Sequence, residues 1–242
     1  MQAATLESVS KHYRVGSVEV PALRGIDADI RAGCLTAIVG ASGSGKTTLL
    51  NLIGCIDRPD AGTLHVAGTA VAELSDDELS DFRASTLGFV FQSFNLIAVL
   101  TAYENVEYPL RLTRMPAARR RERVRALLDA VGLADLAQRR PAQLSGGQQQ
   151  RVAIARALAA KPRLVLADEP TANLDSGTGA AILDLMRQMQ REHDVSFVIC
   201  SHDAQVIGAA DDVLVIRDGR VDSGGRPSGE SPSGEPSSVG QP

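Results

Sequence analysis

Apolar residues along this chain fall into two kinds of run, and each kind predicts a different element. Leu35-Thr36-Ala37-Ile38-Val39, Leu164-Val165-Leu166-Ala167 and Phe197-Val198-Ile199-Cys200 are short and almost uninterrupted. Such runs predict central parallel strands covered on both faces, because neither face is left to water. Val213-Leu214-Val215-Ile216, followed by Asp218-Gly219, predicts a further strand closed by a turn. The middle of the chain changes period. Val124, Leu127, Leu128 and Val131 recur at the i, i+3, i+4, i+7 spacing of one helix face. Gln148 to Ala160 is rich in strong helix formers, and Thr47 to Cys55 reads as the helix after the first strand. The pattern predicts an α/β core interrupted by a mostly helical subdomain over about residues 93–160. No internal repeat is visible. From residue 222 to 242 the chain turns to Gly, Ser, Pro and Glu, which predicts a disordered tail unable to bury enough surface to offset its ordering entropy.

Composition removes several classes. The 242 residues can form a large core, and the net charge of −4 argues against a general nucleic-acid binder, which needs a basic excess. Cys34, Cys55 and Cys200 are odd in number and far apart, as expected of free thiols in a reducing compartment. Met1 to Glu7 has neither the charged nor the apolar region of a secretory signal. Phe94 to Leu100 is among the longer uncharged apolar runs and falls far short of the roughly 20 residues a spanning helix needs. If the chain powers transport, another polypeptide is expected to supply the membrane path. The arginines at 119, 120, 121, 123 and 125 invite a membrane or nucleic-acid reading, but on the helix that carries Val124 and Leu127 they fall mostly on the outer, solvated face.

Candidate chemistry sits where the strands end. Gly40-Ala41-Ser42-Gly43-Ser44-Gly45-Lys46-Thr47 is a complete phosphate loop, continued by Thr48. Its glycines let consecutive backbone N–H groups turn towards one anion at the positive end of the following helix. Lys46 adds a point charge for the β- and γ-phosphates, and the Thr47 hydroxyl is placed to ligate Mg2+. Asp168 and Glu169 are adjacent carboxylates at the carboxyl end of a buried strand, where α/β sheets place their ligands. Leu144-Ser145-Gly146-Gly147-Gln148 opens the second helix, with Ser145 as N-cap and glycines that permit close approach. It is therefore a second anion site on the same chain.

The ordered set of phosphate loop, LSGGQ, apolar strand with Asp-Glu, then Ser201-His202 resembles the ATP-binding subunits of ABC transporters, over about residues 4 to 221. The resemblance implies a phosphate-loop (RecA-like) α/β core with a mostly parallel sheet, an N-terminal antiparallel β portion and the inserted helical subdomain. It implies ATP and Mg2+ as cofactors, with Asp168 on the metal and Glu169 as general base. It makes His202 the switch histidine, and Gln92 the Q-loop residue touching metal and water. Tyr13 matches the aromatic that stacks on adenine, and Asn173-Leu174-Asp175 the loop that crosses a dimer interface. Ser145, Gly146, Gly147 and Gln148 would bind the γ-phosphate of ATP held by a second copy of the chain.

Departures are mild. Ala172 stands where glycine is commoner, Ser201 where threonine is, and Cys34 where an acid often follows the glycine. The stretches Asn51 to Asp57, Phe89 to Ile97 and Gln143 to Gln150 look like the ATPases of lipoprotein-releasing and macrolide-export systems. That likeness implies a homodimer on the cytoplasmic face of the inner membrane, driving a separate integral permease and binding no nucleic acid. Cell-division ATPases share nearly the same motifs and remain the alternative. A soluble ATPase of ribosomes or DNA would carry tandem units or a long coiled-coil insertion, and a nucleotide sensor would lack the carboxylate and histidine present here.

Overall fold

The structure, a computed structural model, describes residues 1–225. Four of the near-continuous runs become neighbouring strands. β3 (Leu35–Val39), β7 (Leu164–Asp168), β8 (Ser196–Cys200) and β9 (Asp212–Arg217) join β6 (Leu87–Phe91) and β10 (Arg220–Gly225) in one sheet, ordered β10-β9-β3-β8-β7-β6. All pairs are parallel except β9 with β10, a hairpin closed at Asp218-Gly219. β10 carries residues 222–225 into the sheet, a correction to the expected tail, because its backbone pairs with β9. The rest of that tail lies outside the described residues.

Period-2 alternation divides the sheet's side chains between two cores. Leu35, Ala37, Val165, Ala167, Phe197 and Ile199 point to one face, where they meet the helices α3 (Ala102–Arg111), α4 (Ala117–Ala130), α5 (Gly146–Leu158) and α6 (Ser176–His193). Ile38, Leu164, Leu166, Val198 and Cys200 point to the other face, against α1 (Lys46–Ile53) and a second, antiparallel sheet. That second sheet has the order β2-β1-β4-β5, built on the long hairpin of β1 (Gln2–Val15) and β2 (Val18–Arg31) with β4 (Ala61–Val66) and β5 (Thr69–Ala70).

α3, α4 and α5 occupy the chain between β6 and β7. Val124, Leu127, Leu128 and Val131 are buried, as their spacing predicts. Asn105 is fully buried and holds the segment before α3: its Oδ1 accepts from Ile97 N–H at 2.8 Å, and its Nδ2 lies within 3.2 Å of the carbonyls of Ile97, Leu100 and Thr101. Arg119, Arg121 and Arg125 face outward, but two arginines of the run do not. Arg120 donates to Met115 O at 2.8 Å, and Arg123 to Leu158 O at 2.8 Å, tying α4 to the end of α5. Among the described residues no helix is long and apolar enough to cross a membrane.

Candidate nucleotide site

The phosphate loop links β3 to α1 at the carboxyl edge of the large sheet. Gly43 and Gly45 take φ of +75° and +108°, conformations that side-chain-bearing residues seldom adopt. A Cβ on Gly45 would also stand 2.7 Å from Ala22 O and 2.8 Å from a Leu23 methyl, so β2 packs directly on the loop. The β9–β10 turn braces it from the other side: Gly219 N–H donates to Ser44 O at 3.0 Å, and Arg24 N–H to Gly219 O at 2.8 Å. No side chain caps the first turn of α1, which leaves its N–H groups for an anion. Lys46 Nζ folds back onto the carbonyls of Gly40 and Ala41, at 2.8 and 2.9 Å. Ser44 is buried, and its Oγ has no hydrogen-bond partner among the described residues.

Strand register assembles the carboxylates. Phe91 of β6 and Cys200 of β8 flank Asp168 of β7, so Gln92, Glu169 and Ser201 leave three adjacent strands at one level. Burial, and after it the neighbouring Glu169 charge, push the Asp168 carboxyl above its ordinary value, against the opposing pull of Lys46 and the Thr47 hydroxyl. Glu169 sits at φ +45°, held there by its N–H donating to Cys200 O at 2.9 Å. Its side chain is gripped at both oxygens. Ser201 Oγ donates to Oε2 at 3.0 Å, and His202 Nδ1 lies 2.8 Å from Oε1. Gln92 reaches the same region through its backbone, whose carbonyl accepts from Asn173 Nδ2 at 3.0 Å.

Because its folded value lies above the unfolded one, Asp168 stabilises the fold when protonated and costs stability once ionised near neutrality. Asp168→Asn should therefore raise the melting temperature of the nucleotide-free protein at pH 7 while abolishing ATP turnover. Calorimetry beside a phosphate-release assay checks both, and a lowered melting temperature would contradict the electrostatic account.

Ser145 caps α5 as expected. Its Oγ accepts from Gln148 N–H at 3.3 Å, while Gln148 Oε1 accepts from Ser145 N–H at 2.9 Å. Gln148 thus spends its side-chain carbonyl on the cap. Gly147 is needed for room, since a Cβ there would meet a Thr178 methyl at 2.6 Å. Among the described residues, no hydrogen bond joins this segment to the phosphate loop of its own chain. The fold brings Lys46, Asp168, Glu169, Gln92 and His202 to one edge and leaves LSGGQ as a separate surface. Tyr13, on β1, has its hydroxyl donating to Asp57 Oδ2 at 2.9 Å. Sequence reasoning missed Ser201 as a partner of Glu169, Asn173 as the link to Gln92, and Asp57 as the anchor of Tyr13. The first two lie beside residues already singled out; the third has no sequence signal, because 44 positions separate it from Tyr13.

A divalent cation fits these residues. Among the described residues no group of three His, Cys, Asp or Glu side chains could hold a metal alone. Asp168 and Thr47 supply one carboxylate and one hydroxyl, which suits Mg2+, an ion that takes few protein ligands and completes its shell with phosphates and water.

Together the phosphate loop, the strand-end carboxylates and the poised histidine define a phosphate-loop nucleoside triphosphatase. Residues 23–172 match the ABC transporter family. Macrolide export ATP-binding/permease protein MacB of Brucella melitensis is 50% identical over 217 residues, which are 89% of this chain and 33% of that protein. The chain thus spans about a third of the MacB relatives it matches. It spans far more of others: the lipoprotein-releasing system ATP-binding protein LolD of Anaeromyxobacter dehalogenans is 48% identical, with 89% of this chain and 91% of that protein covered. A dimeric ATP-binding cassette from Methanocaldococcus jannaschii, solved in a post-hydrolysis state with ADP and Pi, superposes with a TM-score of 0.84 at 42% identity, over 94% of this chain and all of that one. The chain belongs to the ABC transporter family, as its ATP-binding and ATP-hydrolysing cassette.

Proposed function

We propose that this chain is the ATPase subunit of a lipoprotein-releasing or macrolide-export type system, and that ATP-driven closure of its homodimer moves a separate membrane permease. The observation that carries the reading is the grip of Ser201 and His202 on Glu169, beside a phosphate loop whose lysine and first-turn N–H groups suit a triphosphate. The loop from Gly40 to Gly45, with Lys46, Thr47 and Thr48, holds the phosphates. Asp168 and Thr47, with Gln92 nearby, would hold Mg2+, which would supply positive charge to offset the charge of the phosphates. Glu169, oriented by His202, accepts a proton from water as the water oxygen bonds to the γ-phosphorus. The bond from that phosphorus to the bridging oxygen breaks, and ADP and phosphate leave. Tyr13 stacks on the adenine.

Two features support assembly. Ser145, Gly146, Gly147 and the N-terminus of α5 form an anion-binding surface apart from the loop of the same chain, so a second copy facing head to tail would complete two sites. A groove of about 470 Å³ lined by Ile56, Arg83, Phe89, Phe91, Pro109 and Leu112 opens just before Gln92, and an apolar helix of the permease suits it. The protein would then act at the cytoplasmic face of the inner membrane, attached through that permease.

Co-expression with a permease of the lipoprotein-releasing or macrolide-export type from the same genome tests the coupling. The two should co-purify in detergent, and reconstitution in lipid should change the ATPase rate. An ATPase that stays unassociated, with a rate indifferent to the permease, would contradict the proposal.

A further inference from the structure

Tyr13 is held more firmly than an exposed stacking residue needs to be. The residue is 38% exposed, yet its hydroxyl donates to Asp57 Oδ2 at 2.9 Å. The ammonium of Lys11 lies 5.5 Å from the ring centroid. That ammonium is itself fixed by Asp57 Oδ1 at 2.9 Å, Asp60 Oδ1 at 3.2 Å and Arg58 O at 2.8 Å, and Lys11 is 9% exposed. Asp57 therefore binds the tyrosine hydroxyl with one oxygen and the lysine with the other. Burial first, and then Asp57, raise the phenol's pKa, while the Thr48 hydroxyl and the Lys11 charge oppose the shift.

We infer that Asp57, with Lys11, is a positioning element that presents the Tyr13 ring to the nucleotide base. This rests on the reading of Tyr13 as the stacking residue. A free tyrosine on a strand end samples several rotamers, and stacking on a base is favourable only once the ring is ordered. The hydroxyl anchor fixes the ring's direction in advance, so the ordering cost is met before ATP arrives. The lysine lies over the ring and the anchor holds its tip, which leaves the exposed part of the ring to the incoming base. Because Asp57, Arg58 and Ile56 are consecutive, the same anchor ties the base platform to the wall of the groove next to Gln92. Asp57, whose oxygens are taken by Tyr13 and Lys11, acts through Tyr13.

Calorimetric binding of ATP and of inorganic tripolyphosphate, at fixed Mg2+, separates the possibilities. Tripolyphosphate occupies the phosphate loop and lacks a base. Tyr13→Phe and Asp57→Asn should each weaken ATP binding roughly tenfold, the size of one hydrogen bond to a charged group, and leave tripolyphosphate affinity unchanged. The double variant should be no weaker than the worse single one, because both act on the same Tyr13–Asp57 contact. In turnover, KM for ATP should rise with kcat held. Tyr13→Ala serves as the reference: if it binds ATP like the wild type, the reading of Tyr13 as the base platform fails, and the inference with it. If Tyr13→Ala weakens ATP binding while Tyr13→Phe and Asp57→Asn bind normally, the platform stands and the positioning role is overturned. Equal loss of ATP and tripolyphosphate in both Tyr13→Phe and Asp57→Asn would overturn it as well, by showing a disturbed phosphate loop.

Discussion

Glu169→Gln is expected to bind ATP with near-normal affinity and hydrolyse it roughly 10²–10⁴-fold more slowly, the range for loss of a general base. The amide keeps the shape of the carboxylate and can still bond Ser201 Oγ and His202 Nδ1, so the left-handed backbone at this position should survive. It cannot take a proton from water. ATP trapped in this way should also hold two chains together, so gel filtration with ATP should give a dimer that ADP does not. Single-turnover hydrolysis with quantified ATP binding is the check. Near-wild-type hydrolysis would remove Glu169 as the base and return the search to Asp168 or solvent.

The second large effect lies at the phosphate loop. Lys46→Ala is expected to lower ATP affinity by about 10–100-fold, from the loss of a charged hydrogen-bond donor to two phosphates, and to abolish turnover. Among the described residues the hydrogen bonds of Nζ go only to Gly40 O and Ala41 O, both within the phosphate loop itself. The variant should therefore melt close to the wild type, so that lost binding is a site effect. A large fall in melting temperature would mean that the lysine chiefly supports the fold.

Much of this was legible in the sequence where local physics decides. β3, β7, β8 and β9 are short apolar runs because both faces of the sheet are covered, and the structure divides their side chains residue by residue between two cores. The phosphate loop and the start of α5 could be read because glycine and capping chemistry act within a few residues. The N-terminal hairpin could not be traced strand by strand. Leu23, Ile26 and Ile30 are the fully buried positions of β2, spaced three and four apart like a helix face, because register shifts against β1 break the alternation. α2 (Asp76–Thr86) carries a readable capping box at Ser75 and Glu78, but only Leu79 is buried, so no apolar stripe announced it.

The site divides in the same way. Residues that belong to motifs could be singled out, whereas the contacts that hold them required the fold. Ser201 and His202 meet Glu169 only because β7 and β8 end at the same level, and Asn173 meets Gln92 across the loop that follows β7. In the proposed dimer the surface that LSGGQ complements lies on another molecule, so the pairing is a property of two chains.

A mixing experiment tests the shared site most directly. Lys46→Ala removes the phosphate loop from one chain, and Ser145→Arg blocks the α5 cap on the other, so each homodimer should be inactive. Mixed in equal amounts, the two variants should form heterodimers holding one intact composite site, and phosphate release should recover to a fraction of the wild-type rate. Heterodimers that form, by differential tags, yet release no phosphate would contradict a site built from the phosphate loop of one chain and the Ser145 of the other.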